Sequence, residues 1–344
     1  MEPLLKRGAN LYLRSSGGTS PSLALLALID SLRDPASPRR AAAIAALVDD
    51  GALHPTHALF ALDYVTDRYQ PYMLNGLTTD DLAGRRVRVV LAASVATAPL
   101  RAIALPLLRG AESVTIKPSR HQPRFVSLLA DPIDDDPGFD HLIAYGSDQT
   151  IATLRATLPP GVTFEGHGHG FALSIVRTTN HRDAAMRVAE DVAWYDQRGC
   201  LSPQAVLVTS GDPAAFAEHL HRALTHVQRW LPRGPLDAGL GAAVMQWQGV
   251  REATAEGFWR GDTHSVALCE KPTLGTPGAR QVTVTGLDDD GLHRLVSEHA
   301  RWLTALGVDG RTDDLAAIPG FHGRLVAAGM LQDPPLDGPE DIRP

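Results

Sequence analysis

From Arg85 onward the chain alternates short apolar runs with helix-like stretches, and this rhythm restricts it to an α/β fold. "VRVVLAA" reads as a strand, "APLRAIALPLLRG" as a helix, "ESVTIK" as a strand and "HQPRFVSLLAD" as a helix. "HLIAYG", "DQTIATLRATL" and "VTFEG" continue as strand, helix and strand. Strands separated by helices in this way pair in parallel, because a parallel pair needs a crossover long enough to hold a helix. A second series follows the glycines between Gly166 and Gly170. It runs "FALSIV", "NHRDAAMRVAEDVAWY", "QAVLV" and "PAAFAEHLHRALTHVQRWL" as strand, helix, strand and helix. "LDAGLGAAVMQWQGVREATAEG" reads as a helix, "HSVALC" and "RQVTVTG" as strands, and "DGLHRLVSEHARWLTALG" as a helix before an irregular tail. Ahead of Arg85, "SPSLALLALIDSLRD", "PRRAAAIAALVDDG" and "HPTHALFALDYVTDRY" carry apolar residues at helical spacing. The expected organisation is a helical region over 1–84, one α/β domain over 85–168 that takes in part of 1–84, a second over 169–310, and a C-terminal segment over 311–344.

At 344 residues the chain can bury two cores. A formal net charge of −7 with no basic block argues against a general nucleic-acid binder. No apolar run is long enough to span a bilayer, and "MEPLLKRGANLYLRSS" lacks a signal-peptide core. Two cysteines, Cys200 and Cys269, make neither a disulfide scaffold nor a cysteine-based zinc site, so a reduced, cytoplasmic protein is expected. The acidic stretch "DPIDDDPGFD" reads as a solvated loop, because proline and glycine punctuate it.

Four places could carry chemistry. "TIKPSRHQP" puts Lys117 at the carboxyl end of a strand, the edge where open α/β sheets bind nucleotides, with Ser119 and Arg120 as further donors. The alternative for Lys117 is a solvated surface lysine. "YGSDQT" repeats the arrangement: Gly146 allows close backbone approach, and Ser147 opens a helix whose N-terminus favours a pyrophosphate. Ser147 as a plain helix cap is the simpler reading, and the G-x-G-x-x-G fingerprint is absent. "FEGHGHGF" offers two histidines and no evident third ligand, so no metal is expected there; its histidines suit proton handling near neutral pH. In "DVAWYDQRGCLSPQAVLV", Cys200 sits in a small-residue turn between a helix and a strand, because Pro203 disfavours helix at the residue before it. A turn thiol can act as a nucleophile beside backbone N–H groups, or it can be a small core residue. Cys269, within "HSVALC", fits the core description.

Together these segments resemble the aldehyde dehydrogenase superfamily. They are most similar to its acyl-CoA reductase branch, which includes the fatty-acid reductase of bacterial luminescence. "VLAASVATAPLRAIALPLLRGAESVTIKPSRHQP" resembles the cofactor stretch that ends in Lys-Pro-Ser. "YDQRGCLSPQAVLV" resembles the catalytic-cysteine stretch of the acyl-CoA reductases, and "WLTALGV" and "GRLVAAGMLQDPPLDG" resemble that branch's C-terminal segments. The resemblance implies a cofactor domain and a catalytic domain, each on a largely parallel sheet, with nicotinamide held between them and the N-terminal helical region shortened. Cys200 would form an acyl-enzyme thioester, Lys117 and Ser119 would meet the adenosine ribose or its 2′-phosphate, and Gly146 and Ser147 would lie near the pyrophosphate.

The departures refine the implied chemistry. Hydrolytic members carry a glutamate in Glu-Leu-Gly-Gly that activates water. Here the stretch is "FEGHGHGFALSIV", and counting back from the following strand brings His167 to that position, with Glu165 two residues off. Ser94 stands where the superfamily has its oxyanion asparagine. The implied activity is reduction of an acyl-CoA or acyl-carrier thioester to an aldehyde, with His167 as proton shuttle. NADPH is preferred over NADH because of Lys117 and Arg120. A homo-oligomer or an acyl-transferring partner protein is the implied company. The competing readings are a non-catalytic scaffold, an acyl-phosphate reductase and an ordinary aldehyde dehydrogenase.

Overall fold

The strand–helix rhythm yields two sheets in the structure, a computed structural model that describes residues 10–14, 21–69, 81–92, 95–118, 123–133, 138–336 and 341–343. The chain divides into one compact unit over 1–169 and another over 170–344.

The first unit runs β1 (Asn10–Arg14), α1 (Pro21–Arg33), α2 (Pro38–Asp49), α3 (Pro55–Asp67), β2 (Arg86–Val90), α4 (Ala98–Leu108) and β3 (Ser113–Lys117). It continues with α5 (Pro123–Ser127), β4 (Asp131–Ile133), β5 (His141–Tyr145), α6 (Asp148–Ala156) and β6 (Thr163–His167). The strand order is β4-β1-β3-β2-β5-β6. Strands β3, β2, β5 and β6 are parallel, while β1 runs antiparallel to β3 and β4. Val87, Val89, Val114, Ile116, Leu142 and Ala144 are buried, as expected of strands covered on both faces. Proline opens α2 and α3, where its missing N–H costs nothing, and the Ser37 side chain caps α2.

The second unit runs β7 (Phe171–Val176), α7 (His181–Ala193), β8 (Pro203–Val208), α8 (Pro213–Val227), α9 (Ala238–Thr254) and β9 (Gly257–Arg260). It ends with β10 (Ser265–Leu268), β11 (Gln281–Gly286), α10 (Asp289–His299), β12 (Leu303–Asp309) and β13 (Arg324–Ala327). The order is β13-β12-β7-β8-β11-β10-β9, and only the β9–β10 pair is antiparallel. One face of the sheet packs Val206 and Val284 against Val188, Val192, Phe216 and Leu220 of α7 and α8. The other packs Leu173, Leu207 and Leu306 against Leu292 and Val296 of α10. Among the described residues no helix is long and apolar enough to cross a membrane.

Several strands differ from the sequence expectation, among them β13, which lies within the expected irregular tail, and β9, where no strand was expected. The helix expected through Gly307 ends at His299, and Leu303–Asp309 instead forms β12 between β7 and β13. "WLTALGV" is apolar at nearly every position, so it satisfies helical and strand spacing alike, and burial on both sheet faces decides. The N-terminal region, expected to be all helix, also supplies β1, whose alternation is too short to register. Within the expected acidic loop, Asp131–Ile133 pairs with β1 as β4, and Asp140 accepts from Arg86 Nη2 at 2.8 Å.

Candidate active site

The turn that carries Cys200 is built by a left-handed stretch of backbone. Tyr195, Asp196 and Gln197 have φ of 52°, 53° and 61°. Each such residue costs roughly 1–2 kcal/mol when it is not glycine, so neighbours must hold it. Asp196 is fully buried. Its Oδ1 accepts from Arg280 Nε and Nη2 at 3.0 and 2.8 Å, and its Oδ2 accepts from Gly234 N at 2.9 Å. Gln197 works as an amide clamp: Nε2 donates to Pro203 O (2.8 Å) and Gln281 O (3.0 Å), while Oε1 accepts from Gln281 N (2.8 Å). The Tyr-Asp-Gln stretch therefore owes its form to a buried ion pair and a reciprocal amide.

Beyond it, Ser202 N donates to Gly199 O (3.0 Å) and Gly199 N donates to Ser202 Oγ (3.3 Å), closing a tight turn around Cys200. Thr304 Oγ1, on β12, donates to Cys200 O at 2.7 Å. The half-buried Cys200 side chain packs on Ala172, Leu201, Ala305 and Leu331. A thiol in this corner is fixed by backbone bonds and by apolar contacts from β7, β12 and the segment at Leu331. Cys269 is buried just past β10 with Trp247 and Ala267, a small core residue.

In the first unit the candidate residues fall on the carboxyl edge of the sheet. Lys117 ends β3, and its Nζ is buried without a hydrogen-bond partner among the described residues. Burial, and then the nearby Arg88 guanidinium, lower its pKa. Ser147 caps α6, its Oγ accepting from Thr150 N at 3.2 Å. Gly146 N donates to His167 O at 3.1 Å, so its N–H is spent on the sheet. A Cβ at Gly146 would stand 3.3 Å from Thr150, so what glycine contributes there is space.

His167 ends β6 and stacks on Tyr145, ring centroids 4.7 Å apart. Glu165 lies two residues earlier on the same strand and hence on the same face. Its Oε2 accepts from Arg109 Nη1 at 2.8 Å, and its Oε1 lies 3.2 Å from His167 Nε2. His141 Nε2 stands 3.7 Å from Oε2. Burial alone would raise the Glu165 carboxyl, but His141, His167 and Arg109 outweigh it and hold the group far below the usual carboxylate range. An ionised carboxylate only accepts, so Nε2 of His167 carries a proton.

Ser94, Ser119 and Arg120 lie outside the described residues. Arg109, His141, Asp196, Arg280 and Gln281 carried no signal of their own in the sequence, because their partners are distant along the chain. Among the described residues no group of three or more histidines, cysteines or carboxylates could hold a metal ion.

Two units, each on a largely parallel sheet, make up a fold of the aldehyde dehydrogenase type. Solved structures agree on the fold. A putative aldehyde dehydrogenase from Burkholderia cenocepacia superposes with a TM-score of 0.67 at 13% identity, over 89% of this chain and 76% of that one. An NAD-dependent benzaldehyde dehydrogenase from Corynebacterium glutamicum gives 0.63 at 13% identity, over 90% and 82%. The pattern of the family described as Acyl-CoA reductase (LuxC) matches residues 129–332, more than half of the chain, and the chain belongs to that family. A long-chain acyl-protein thioester reductase of Aliivibrio fischeri is 33% identical over 96 residues, which is 28% of this chain and 20% of that protein. The match thus spans about a fifth of the curated relative's length.

Proposed function

We propose that the chain reduces an acyl thioester to an aldehyde through an acyl-enzyme on Cys200, with NADPH as reductant. The observation that carries the reading is the Cys200 corner: a half-buried thiol on a turn held by Thr304, Ser202 and the buried Asp196–Arg280 pair. The residues of the first unit fit a nicotinamide dinucleotide. Lys117 Nζ is a buried cation with no hydrogen-bond partner among the described residues, suited to the adenosine ribose or its 2′-phosphate together with Ser119 and Arg120. The capped start of α6 at Ser147, approached over Gly146, suits the pyrophosphate. On this assignment 85–168 is the cofactor domain and 169–310 the catalytic one.

In the first step Cys200 Sγ, as thiolate, attacks the thioester carbonyl, and the backbone N–H of Cys200 stabilises the oxyanion. The carrier thiol leaves with a proton, and the acyl group stays on Sγ. A nicotinamide cofactor held by Lys117 and the start of α6 would supply the hydride that reduces this thioester. Proton uptake at the resulting oxygen and collapse of the thiohemiacetal free the aldehyde and restore Cys200. His167 is the proposed proton carrier, with its Nε2 set 3.2 Å from Glu165 Oε1. Glu165 orients that imidazole. Its low pKa and its bond to Arg109 make it a poor base for water, which favours aldehyde release over hydrolysis to acid. The relative's name, acyl-protein thioester reductase, brings an acyl-transferring partner protein into the proposal, with acyl-CoA and a homo-oligomer as the alternatives. A nucleophilic thiol needs a reducing compartment, which suits the cytoplasm.

The test is product identity. Stoichiometric enzyme given acyl-CoA should release a burst of CoA and gain an acyl mass on Cys200, and NADPH should then yield aldehyde. In reverse, aldehyde and NADP⁺ should form acyl-CoA only when CoA is present. Fast CoA-independent formation of free acid, lost in Glu165→Gln and kept in His167→Asn, would identify an ordinary aldehyde dehydrogenase instead.

Lys117→Ala is expected to weaken NADPH binding about ten- to a hundredfold, as for loss of a charge-assisted contact, with acyl-CoA binding unchanged. Fluorescence titration of both ligands checks it. Equal losses for the two would remove Lys117 from the cofactor, and equal losses for NADPH and NADH would leave it on the ribose alone.

A further inference from the structure

Behind the Cys200 turn, one buried carboxylate ties the end of the chain to helix α7. Asp191 has no exposed surface. Its Oδ2 accepts from Gly329 N at 2.7 Å and its Oδ1 from Leu331 N at 2.9 Å. Gly329 adopts φ of +88°, which lets the chain turn onto the carboxylate. The clamped segment then meets the nucleophile's turn in two ways. Leu331 enters the apolar cluster that holds Cys200, in a space kept open by Gly307, where a Cβ would come within 2.9 Å of it. Gln332 Nε2 donates to Ser202 Oγ at 3.2 Å, the same oxygen that accepts from Gly199 N.

We propose that Asp191 is a positioning residue for the nucleophile: by clamping residues 329–332 it sets Leu331 and Gln332 against the turn and thereby fixes Cys200 Sγ. The inference rests on the reading of Cys200 as the nucleophile and adds a residue that touches neither substrate nor cofactor. A carboxylate is costly in this place. Burial pushes it up to about 7 against the backbone N–H groups of Gly329, Leu331 and Gln332, which favour its ionised form, while Glu190 beside it pushes the same way as burial. An apolar side chain would pin a surface segment at lower cost. What the carboxylate provides is direction, since two N–H groups aimed at two oxygens leave the segment one register.

The experiment compares the wild type, Gln332→Ala and Asp191→Asn as full-length proteins. Gln332→Ala cuts the link to Ser202, together with the 3.5 Å bond from Nε2 to Asp191 O, and leaves the two carboxylate bonds of the clamp. Asp191→Asn turns one acceptor into a donor that faces an N–H. The readouts are the rate of Cys200 acylation by octanoyl-CoA, its alkylation by iodoacetamide, NADPH affinity and melting temperature. Both variants should bind NADPH as the wild type does, acylate roughly ten- to a hundredfold more slowly, as expected for a displaced reacting atom, and show a changed alkylation rate. Wild-type acylation and alkylation rates in Gln332→Ala, whatever happens to the melting temperature, would overturn the proposal and leave the segment a structural pin. Should the wild type gain no acyl mass on Cys200, the nucleophile reading falls. The alkylation comparison still decides whether the clamp governs the thiol.

Discussion

Alanine in place of Cys200 is expected to remove acyl-enzyme formation altogether, with a loss of reductase turnover of roughly 10⁴-fold or more, as for other covalent nucleophiles. The fold should survive. The thiol is half-buried and makes one small contribution to a cluster of Ala172, Leu201, Ala305 and Leu331, so its removal should cost on the order of 1 kcal/mol. Urea unfolding and NADPH titration would separate the two effects. Cys269→Ala, which trims the cluster with Trp247 and Ala267, should cost a similar amount of stability and leave activity intact. Turnover that persists in Cys200→Ala would mean that another group forms the covalent intermediate, or that none forms.

Arg280→Met is expected to destabilise the protein by about 3–5 kcal/mol, the usual cost of stripping one partner from a fully buried pair. Arg280 and Asp196 are 1% and 0% exposed, so the carboxylate would lose both of its Arg280 contacts while staying out of water. The damage should also reach Cys200, because the Asp196 contacts hold the left-handed backbone that leads to its turn. The double variant Asp196→Leu with Arg280→Met should regain most of the stability, since an apolar pair of similar volume avoids desolvating charge, and yet remain inactive. Urea midpoints and acylation rates on the three proteins would show this. Recovery of both stability and activity in the double variant would mean that the pair only fills the core and does not shape the turn.

Periodicity and punctuation were enough for the α/β class and for most of the crossover helices, because those signals are local. The corner at Cys200 was legible for the same reason: Gly199 and Pro203 limit the backbone within a few residues. Lys117 and Ser147 were legible as ends of elements. Tertiary structure alone decided the rest. β12 became a strand because both faces of "LTALGVD" are covered, a fact about its neighbours β7 and β13 and not about its own spacing. Glu165 reads as a free carboxylate near two histidines, but Arg109, 56 residues away, binds it and changes its role. Asp196 and Arg280, 84 residues apart, and Asp191 and Leu331, 140 apart, meet only once parallel crossovers bring distant strands side by side. Each charged member of these pairs looks like an ordinary polar residue along the chain. Burial makes them matter, because a charge taken out of water must find its partner in the fold.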